Sequence, residues 1–591
     1  MTREIFREVD DYCRKEKSSH LWDNKNNNGK GNVAWDCDDD VDYYPNCDPS
    51  VWMRSCDEEV ITPMTGEVRG VIPEWLSGTL LRNGPGSLKV GDYQFDHLFD
   101  SSALLHRFHI SGGRVTYQRR FVQTDVFKRN HQARRIVLTE FGTKSVPDPC
   151  QTIFQRIAAV FNPDSGLSDN SMISVYPFGD QYYTFAEAPF IHRIDVETLE
   201  TKDRICISDY VGVVNHTSHP HVTDDGTVYN VGLSITAMGP AYSVVCFPSV
   251  PSDTGRNSGG KAMFEGASIV ASLPARWKLN PSYMHTFGIT ENYFIIIEQP
   301  LAVSMVTMMA CKIKNEPLSS ALKWHDNENT LIHVLSRATG ALERTFTAAA
   351  LFYLHIINQY ESEKGDSIVI DICCYRNAKM LDCMYVDAMR NMHKNPDYSK
   401  LFRARPLRFV LPMTDKFADV KPNRRTNIFE MKASAHRRGD GAISVEPELI
   451  CNLGCETPRH NQKYLGRQYR YFYAISSDVD IQNPGTIIKV DTLNKSSLTW
   501  SEDGLYPSEP IFVAQPESQN EDDGIILSAA IYGEGRECDV CLLILDAKSM
   551  IEMGRVTFHT PGAVPKCLHG WFTLETPPID ENNDNNNDNN I

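Results

Sequence analysis

An all-β fold built from repeated strand pairs is the class this chain predicts, on three observations. Short runs rich in Val, Ile, Tyr and Phe recur between Gly, Asp and Asn turns over residues 44–572, the pattern of strands. A strand, an acidic or polar corner and a short Thr- or Ser-bearing turn recur at 192–200, 333–340, 488–493 and 543–550. Copies of one unit spread over most of a chain are what a β-propeller leaves in sequence, since each blade repeats the same hairpins around an axis; hairpins in a sandwich are the rival arrangement. Helical periodicity is sparse, its clearest case being 153–161, where Phe154, Ile157, Ala158 and Phe161 share one face.

The 591 residues, 41% apolar, 10% aromatic and 23% charged, supply ample core material for a globular protein. A net charge of −17 argues against nucleic acid or anionic lipid as a long-range electrostatic partner. The chain divides into a weakly ordered extension at 1–43, one domain at 44–575 and a disordered Asn/Asp-rich tail at 576–591. The polar stretches 251–261, 414–444 and 516–524 read as loop insertions, because strand patterning resumes after each. Residues 1–17 are charged and lack the apolar core of a secretory signal, and the apolar run 293–310 is broken by Glu298, Gln299 and Pro300, so a cytoplasmic protein is expected. The 16 cysteines read as reduced core residues. Cys538 and Cys541 form a C-x-x-C, but in a strand residues three apart face opposite sides, which argues against a zinc or redox pair.

One stretch organises the functional reading. Residues 214–232 hold His216, His219 and His221 around Pro220, ahead of the hairpin turn Asp224-Asp225-Gly226. A neutral imidazole fixed by a proline at the start of a hairpin suits a metal centre. His285, His355 and His569 sit in similar apolar strand contexts, where an unpaired imidazole would cost about 1–3 kcal/mol. The gaps of 66, 70 and 214 residues between His219, His285, His355 and His569 exceed any local ligand motif, so spacing alone does not establish a shared metal.

The chain resembles the carotenoid cleavage oxygenases. The matching stretches include Leu80-Leu81-Arg82-Asn83-Gly84-Pro85-Gly86, His97-Leu98-Phe99-Asp100, Pro147-Asp148-Pro149-Cys150, Ser218-His219-Pro220-His221, Pro507-Ser508-Glu509-Pro510 and His569-Gly570. The segments Gly454-Cys455-Glu456-Thr457-Pro458-Arg459 and Pro565-Lys566-Cys567-Leu568-His569 point to the isomerooxygenase branch. That resemblance implies a seven-bladed β-propeller with a loop and helix cap over Fe(2+) on the axis. It implies His219, His285, His355 and His569 as ligands, and Glu187, Glu456 and Glu509 as the carboxylates that accept their other ring N–H. Two departures are Ser101, where the family commonly has glycine, and Ile356, where it often has a second histidine. The implied reaction is cleavage of a C40 carotenoid (zeaxanthin, lutein or β-carotene) by O2 at the central 15,15′ double bond, with one retinal half isomerised to 11-cis for visual chromophore supply. Eccentric cleavage and a retinyl ester isomerohydrolase activity are the alternatives. Peripheral association with intracellular membranes is expected through the face Phe154, Ile157 and Phe161, aided by acylation of Cys150.

Overall fold

The computed structural model describes residues 41–146, 167–250, 259–414, 426–427 and 432–575. Their strands form seven sheets of four or more strands, the blades of a β-propeller. In blade I the C-terminal strand Gly570–Leu574 lies innermost and pairs antiparallel with Gly78–Ser87, in the register Leu80 with Phe572 and Arg82 with Gly570. The two ends of the chain thus close the ring, which covers an edge that would otherwise be open to foreign strands. The innermost strands of blades II to VI are Ser174–Phe178, the pair Asn215–His216 and His221–Val222, Gly288–Ile289, Phe352–Glu361 and Glu456–Arg459. Blade VII begins with Leu505–Pro507 and Ile511–Ala514 and takes Glu67–Gly70 as its outer edge.

The four recurrent sequence units all fall at one architectural place. They are the turns between the third and fourth strands of blades II, IV, VI and VII, joining Phe190–Ile194 to Thr201–Cys206, Thr330–Ser336 to Leu342–Ala348, Ile487–Asp491 to Ser496–Trp500 and Asp539–Asp546 to Glu552–His559. In three of them an aspartate side chain accepts backbone N–H groups within the turn: Asp195 from Thr198 at 2.9 Å, Asp491 from Asn494 at 3.0 Å and Asp546 from Ser549 at 2.7 Å. Four residues after the corner, the chain turns through positive φ at Leu199, Gly340, Lys495 and Met550. Only the second copy places there the glycine that this conformation favours.

Adjacent blades interleave apolar faces. Between blades IV and V, for example, Ile297, Ile332, Phe346, Ile370 and Leu407 form one buried cluster. Strand Ser367–Tyr375 is buried at all of its positions because a neighbouring sheet covers each face.

The innermost strands all start at the same face of the ring, and two insertions cap that face. Residues 301–324 supply strand Leu301–Val303, helix Met305–Lys314 and strand Leu322–Trp324; residues 376–404 supply the short helices Ala378–Met384, Val386–Arg390 and Tyr398–Phe402. The run 293–310, read in sequence only as broken apolar residues, therefore divides into strand Tyr293–Glu298, strand Leu301–Val303 and the start of that helix. The helix begins at Ser304, whose Oγ accepts the Thr307 N–H at 3.3 Å, and stops at Asn315 in the left-handed region.

The stretch 414–444 differs from the expected loop. Ser434–Arg437 and Ile443–Glu446 extend the blade IV sheet outward, Phe346 pairing in parallel with Ile443. Each has only four residues, too few for the alternation of Ala435 and Val445 to stand out from polar flanks. Cys150, Phe154, Ile157 and Phe161 lie outside the described residues.

Candidate metal centre

Each blade contributes one of the seven residues singled out in the sequence. His569 immediately precedes the closing strand of blade I, and Glu187 follows strand Gln181–Phe185 of blade II. His219, His285 and His355 belong to the innermost strands of blades III, IV and V or their edges, Glu456 opens that of blade VI, and Glu509 lies between the two short inner strands of blade VII. Local sequence explains two of these placements. Pro220 cannot donate to a ladder and splits the inner edge of blade III into two short strands, leaving His219 in the gap. His355 lies where the register slips between Tyr353 and Ile356, a bulge that re-aims a side chain.

The four imidazoles converge on the axis. Ring centroids are 4.6 Å apart for His219 with His285 and with His569, and 5.0–5.1 Å apart for His355 with the other three. Ligand nitrogens of His219, His355 and His569 lie within 4.8 Å of one another, and His285 Nε2 joins them at 3.1 Å from His219 Nε2. All four side chains are buried.

Three carboxylates fix the far side of these rings. His285 Nδ1 meets Glu187 Oε1 at 2.5 Å, His355 Nδ1 meets Glu456 Oε2 at 2.5 Å, and His569 Nδ1 meets Glu509 Oε1 at 2.8 Å. Opposite a carboxylate each Nδ1 carries the proton, so each Nε2 presents a lone pair to the axis. His355 Nε2 is buried with no hydrogen-bond partner, a cost that a bound cation removes. The lone pair of His285 Nε2 likewise faces His219 Nε2 at a distance that calls for a shared proton or a shared ion. The donor set of neutral, buried imidazole nitrogens fits a divalent transition metal.

Electrostatics favour that protonation pattern. Burial, then the neighbouring His569, His285 and His355, hold His219 well below the usual imidazole range. Burial lowers His569 to about 4 against the opposing pull of Glu509. Burial would raise Glu509, but Arg459, His569 and Arg82 together keep it well below the ordinary carboxylate range. Glu456 is likewise lowered, burial being outweighed by His355, the Thr457 N–H and the Tyr375 O–H.

Four groups that hold these carboxylates were not assigned roles from sequence. Tyr283 donates to Glu187 Oε1 at 2.7 Å, and Tyr375 donates to Glu456 Oε1 at 2.7 Å. Arg82 Nη1 donates to Glu509 Oε2 at 2.9 Å, and Arg459 Nε to Glu509 Oε1 at 2.8 Å. Both arginines stand inside motifs quoted above, Leu80-Leu81-Arg82 and Thr457-Pro458-Arg459; a charge after an apolar pair was a signal for Arg82, while Arg459 stands among polar residues and gave none. The other histidines of the 214–232 stretch serve the backbone: His216 Nδ1 lies 2.9 Å from the Thr217 carbonyl, and His221 Nε2 lies 2.7 Å from that of Phe287.

A propeller with four imidazoles gathered on its axis is the architecture that the resemblance to the carotenoid oxygenases implies. The chain belongs to the retinal pigment epithelial membrane protein family, whose model matches residues 53–574. It is 50% identical to the carotenoid isomerooxygenase of Drosophila melanogaster over 90% of this chain and 93% of that protein, and 53% identical to that of Galleria mellonella over 90% and 97%. Identity to the β,β-carotene 15,15′-dioxygenase of Gallus gallus is 37%, over 87% of this chain and 96% of that one. Among solved structures, an apocarotenoid oxygenase mutant of Synechocystis aligns at a TM-score of 0.70 and 20% identity, covering 90% of this chain and 100% of that one, a likeness of fold.

Proposed function

We propose that this carotenoid oxygenase holds Fe(2+) on His219, His285, His355 and His569 and cleaves a C40 carotenoid of the zeaxanthin, lutein or β-carotene class at its 15,15′ double bond. O2 adds one oxygen atom to each carbon of that bond, giving two retinals, one of which leaves as the 11-cis isomer. The observation that carries the reading is the buried four-imidazole cluster backed by three carboxylates, in a chain half identical to isomerooxygenases of two insects. Iron held by His219, His285, His355 and His569 would supply the activation of O2 beside the polyene. The protein's own part is to keep the ligands neutral and aimed: Glu187, Glu456 and Glu509 hold the Nδ1 protons, and burial excludes water. A pocket complementary to a bent polyene would favour a twisted transition state over the straight ground state, coupling isomerisation to turnover.

Isomer-resolved chromatography of products in dim red light tests this, alongside metal analysis. One 11-cis aldehyde is expected per all-trans aldehyde. Only all-trans retinal would leave a plain central-cleavage oxygenase, unequal apocarotenoids would indicate eccentric cleavage, and 11-cis alcohol formed from a retinyl ester without O2 would indicate an isomerohydrolase.

Peripheral membrane association belongs to the same reading, since the substrate is a membrane-dissolved hydrocarbon. Among the described residues no helix is long and apolar enough to cross a membrane. The cap helix Met305–Lys314 instead exposes Val306 at 61%, Met309 at 71% and Ile313 at 71% along one stripe. Exposed Leu279 joins it, its carbonyl accepting the Met305 N–H at 3.0 Å, and Lys278, Lys312 and Lys314 supply positive charge. An apolar stripe with basic residues suits a bilayer surface. Met309→Asp and Ile313→Asp should lose flotation with anionic liposomes; undiminished flotation of both would rule this surface out.

A further inference from the structure

The face of the ring opposite the cap carries a second feature of the site. A cavity of about 100 Å³ begins at His219, His355 and His569 and continues along the axis to Gln462 and Leu465. Most stretches that line it lie downstream of a residue of the centre: Pro220 to Val222 after His219, Thr286 and Phe287 after His285, Ile356 to Gln359 after His355, and Pro458 to His460 after Glu456, with Tyr176 of blade II as the exception. Since the innermost strands start at the capped face, the cavity leads away from the cap. It ends among exposed groups, where Gln462 donates to the Val222 carbonyl at 3.2 Å and Arg467 pairs with Asp224 at 2.7 Å.

Its wall mixes apolar side chains, Val222, Phe287, Ile356 and Leu465 among them, with polar groups spaced between them. His221 and His460 bring two imidazoles, and Asn358, Gln359 and Gln462 bring amide groups. His221 faces the Phe287 carbonyl with Nε2 at 2.7 Å, which leaves the lone pair on Nδ1. His460 is kept neutral at ordinary pH, burial lowering it to about 4. The one cation in the wall, Arg459, is neutralised by Glu509 at 2.8 Å and held by the Gly570 carbonyl at 2.9 Å. On the capped side the nearest insertions present aromatic and apolar groups, such as the cluster of His97 with Phe99, Phe141 and Tyr385 at 4.7–5.1 Å. A hydrated dication stripped of water against hydrocarbon gains nothing in exchange, whereas imidazole nitrogens and amide oxygens replace water one ligand at a time.

We infer that this axial cavity is the route by which the divalent metal ion reaches and leaves the four-histidine centre, with Gln462 at its mouth, independent of the capped face that admits the hydrocarbon. The inference rests on the metal-centre reading and adds to it a path, two relay imidazoles and a control point. No bond is made or broken by the protein in this step; the ion exchanges water for protein ligands and keeps its charge.

The test uses Co(2+) as probe on full-length protein freed of metal by dialysis against a chelator. Uptake is followed by the visible absorbance of the bound ion and release by a small soluble chelator. Gln462 is exposed, so both Gln462→Trp and Gln462→Ala should fold. Gln462→Trp is expected to slow uptake and release together by about tenfold, a modest rise in barrier, with final occupancy unchanged, while Gln462→Ala speeds both. Unchanged rates in both variants at full occupancy would overturn the route alone. The same holds if a long-chain detergent bound at the capped face blocks uptake while Gln462→Trp does not. Failure of the wild-type protein to bind Co(2+) at all would overturn the metal centre itself, and the route with it.

Discussion

Glu187 and Glu456 perform the same task as Glu509, but by a different means. The first two carboxylates are each steadied by a tyrosine hydroxyl, Tyr283 at 2.7 Å and Tyr375 at 2.7 Å. Glu509 is gripped by two arginines and by the Gly570 N–H at 2.9 Å. Tyrosine leaves the negative charge of the carboxylate available to its histidine; arginine cancels it. With all three carboxylates ionised, two arginines offset two of their charges, so a dication added to the centre would leave a net charge of about +1. The comparison teaches that identical His–Glu pairs need not have identical value, since what stands behind the glutamate decides whether it serves the metal or the fold.

The largest effect separates the axial histidines from their sequence neighbours. Replacing any of His219, His285, His355 or His569 with Ala should abolish metal binding and activity together, because the affinity depends on the full ligand set. His216→Gln should retain both, as its Nδ1 serves only the Thr217 carbonyl; metal content by mass spectrometry reads both cases, and full occupancy in an axial variant removes that residue from the ligand set. Next, Glu509→Gln should cost about 3–5 kcal/mol of stability because it leaves the buried Arg82 and the half-buried Arg459 without a counter-charge. Glu187→Gln and Glu456→Gln should mainly lower metal affinity or activity, by about 10–100-fold. Chemical denaturation with metal titration resolves the two kinds of loss, and equal stability losses in all three would erase the distinction. Smaller again, Tyr283→Phe and Tyr375→Phe should each remove a hydrogen bond to a charged group, about 1.5–3 kcal/mol. Their metal affinity should fall less than in the Gln variants.

The smallest and broadest effect concerns pH. Burial lowers His97 to about 4, His106 to about 3 and His460 to about 4, all below the ordinary imidazole value. The unfolded chain therefore takes up these protons first, and their stabilising effect, intact at neutral pH, is lost as pH falls from about 6.5 towards about 4. Asp100 and Glu140 are raised by burial to about 7 and about 8, so they act in the opposite sense, costing stability as pH rises above about 4. The histidines with lowered values outnumber these two acids, since His216, His221 and His569 also fall to about 4. Metal-free protein should thus have a lower urea midpoint at pH 5 than at pH 7. A higher midpoint at pH 5 would mean that the buried acids dominate.

Much of this was legible before any coordinates of the fold were known. The turn units at 192–200, 333–340, 488–493 and 543–550 indicated a propeller because an Asp or Ser corner must satisfy the same backbone groups in each blade. The histidines stood out because polar rings are rare inside apolar strands. Their convergence was not legible from spacing, since residues 214 positions apart meet only through ring geometry; the family resemblance supplied that step. The roles of Arg82, Arg459, Tyr283 and Tyr375 were hidden because each acts across a blade boundary that no local pattern encodes. Helix Met305–Lys314 was not legible because its apolar residues lie on several faces, Cys311 buried and Val306, Met309 and Ile313 exposed, which leaves no single-faced period.

The closing strand Gly570–Leu574 has a consequence for how the protein is made. Synthesis runs from the N-terminus, and His569, adjoining that strand, is the last of the seven axial groups to be translated. Until it emerges, blade I waits with the inner edge of Gly78–Ser87 uncovered and the histidine cluster lacks a member. A metal ion that needs the full histidine set would therefore be captured only after translation, and a nascent or prematurely terminated chain carries a bare strand edge prone to pairing with others. A metal held by all four histidines would thus act as a late check on completion, retained only by molecules in which His569 has joined the other three.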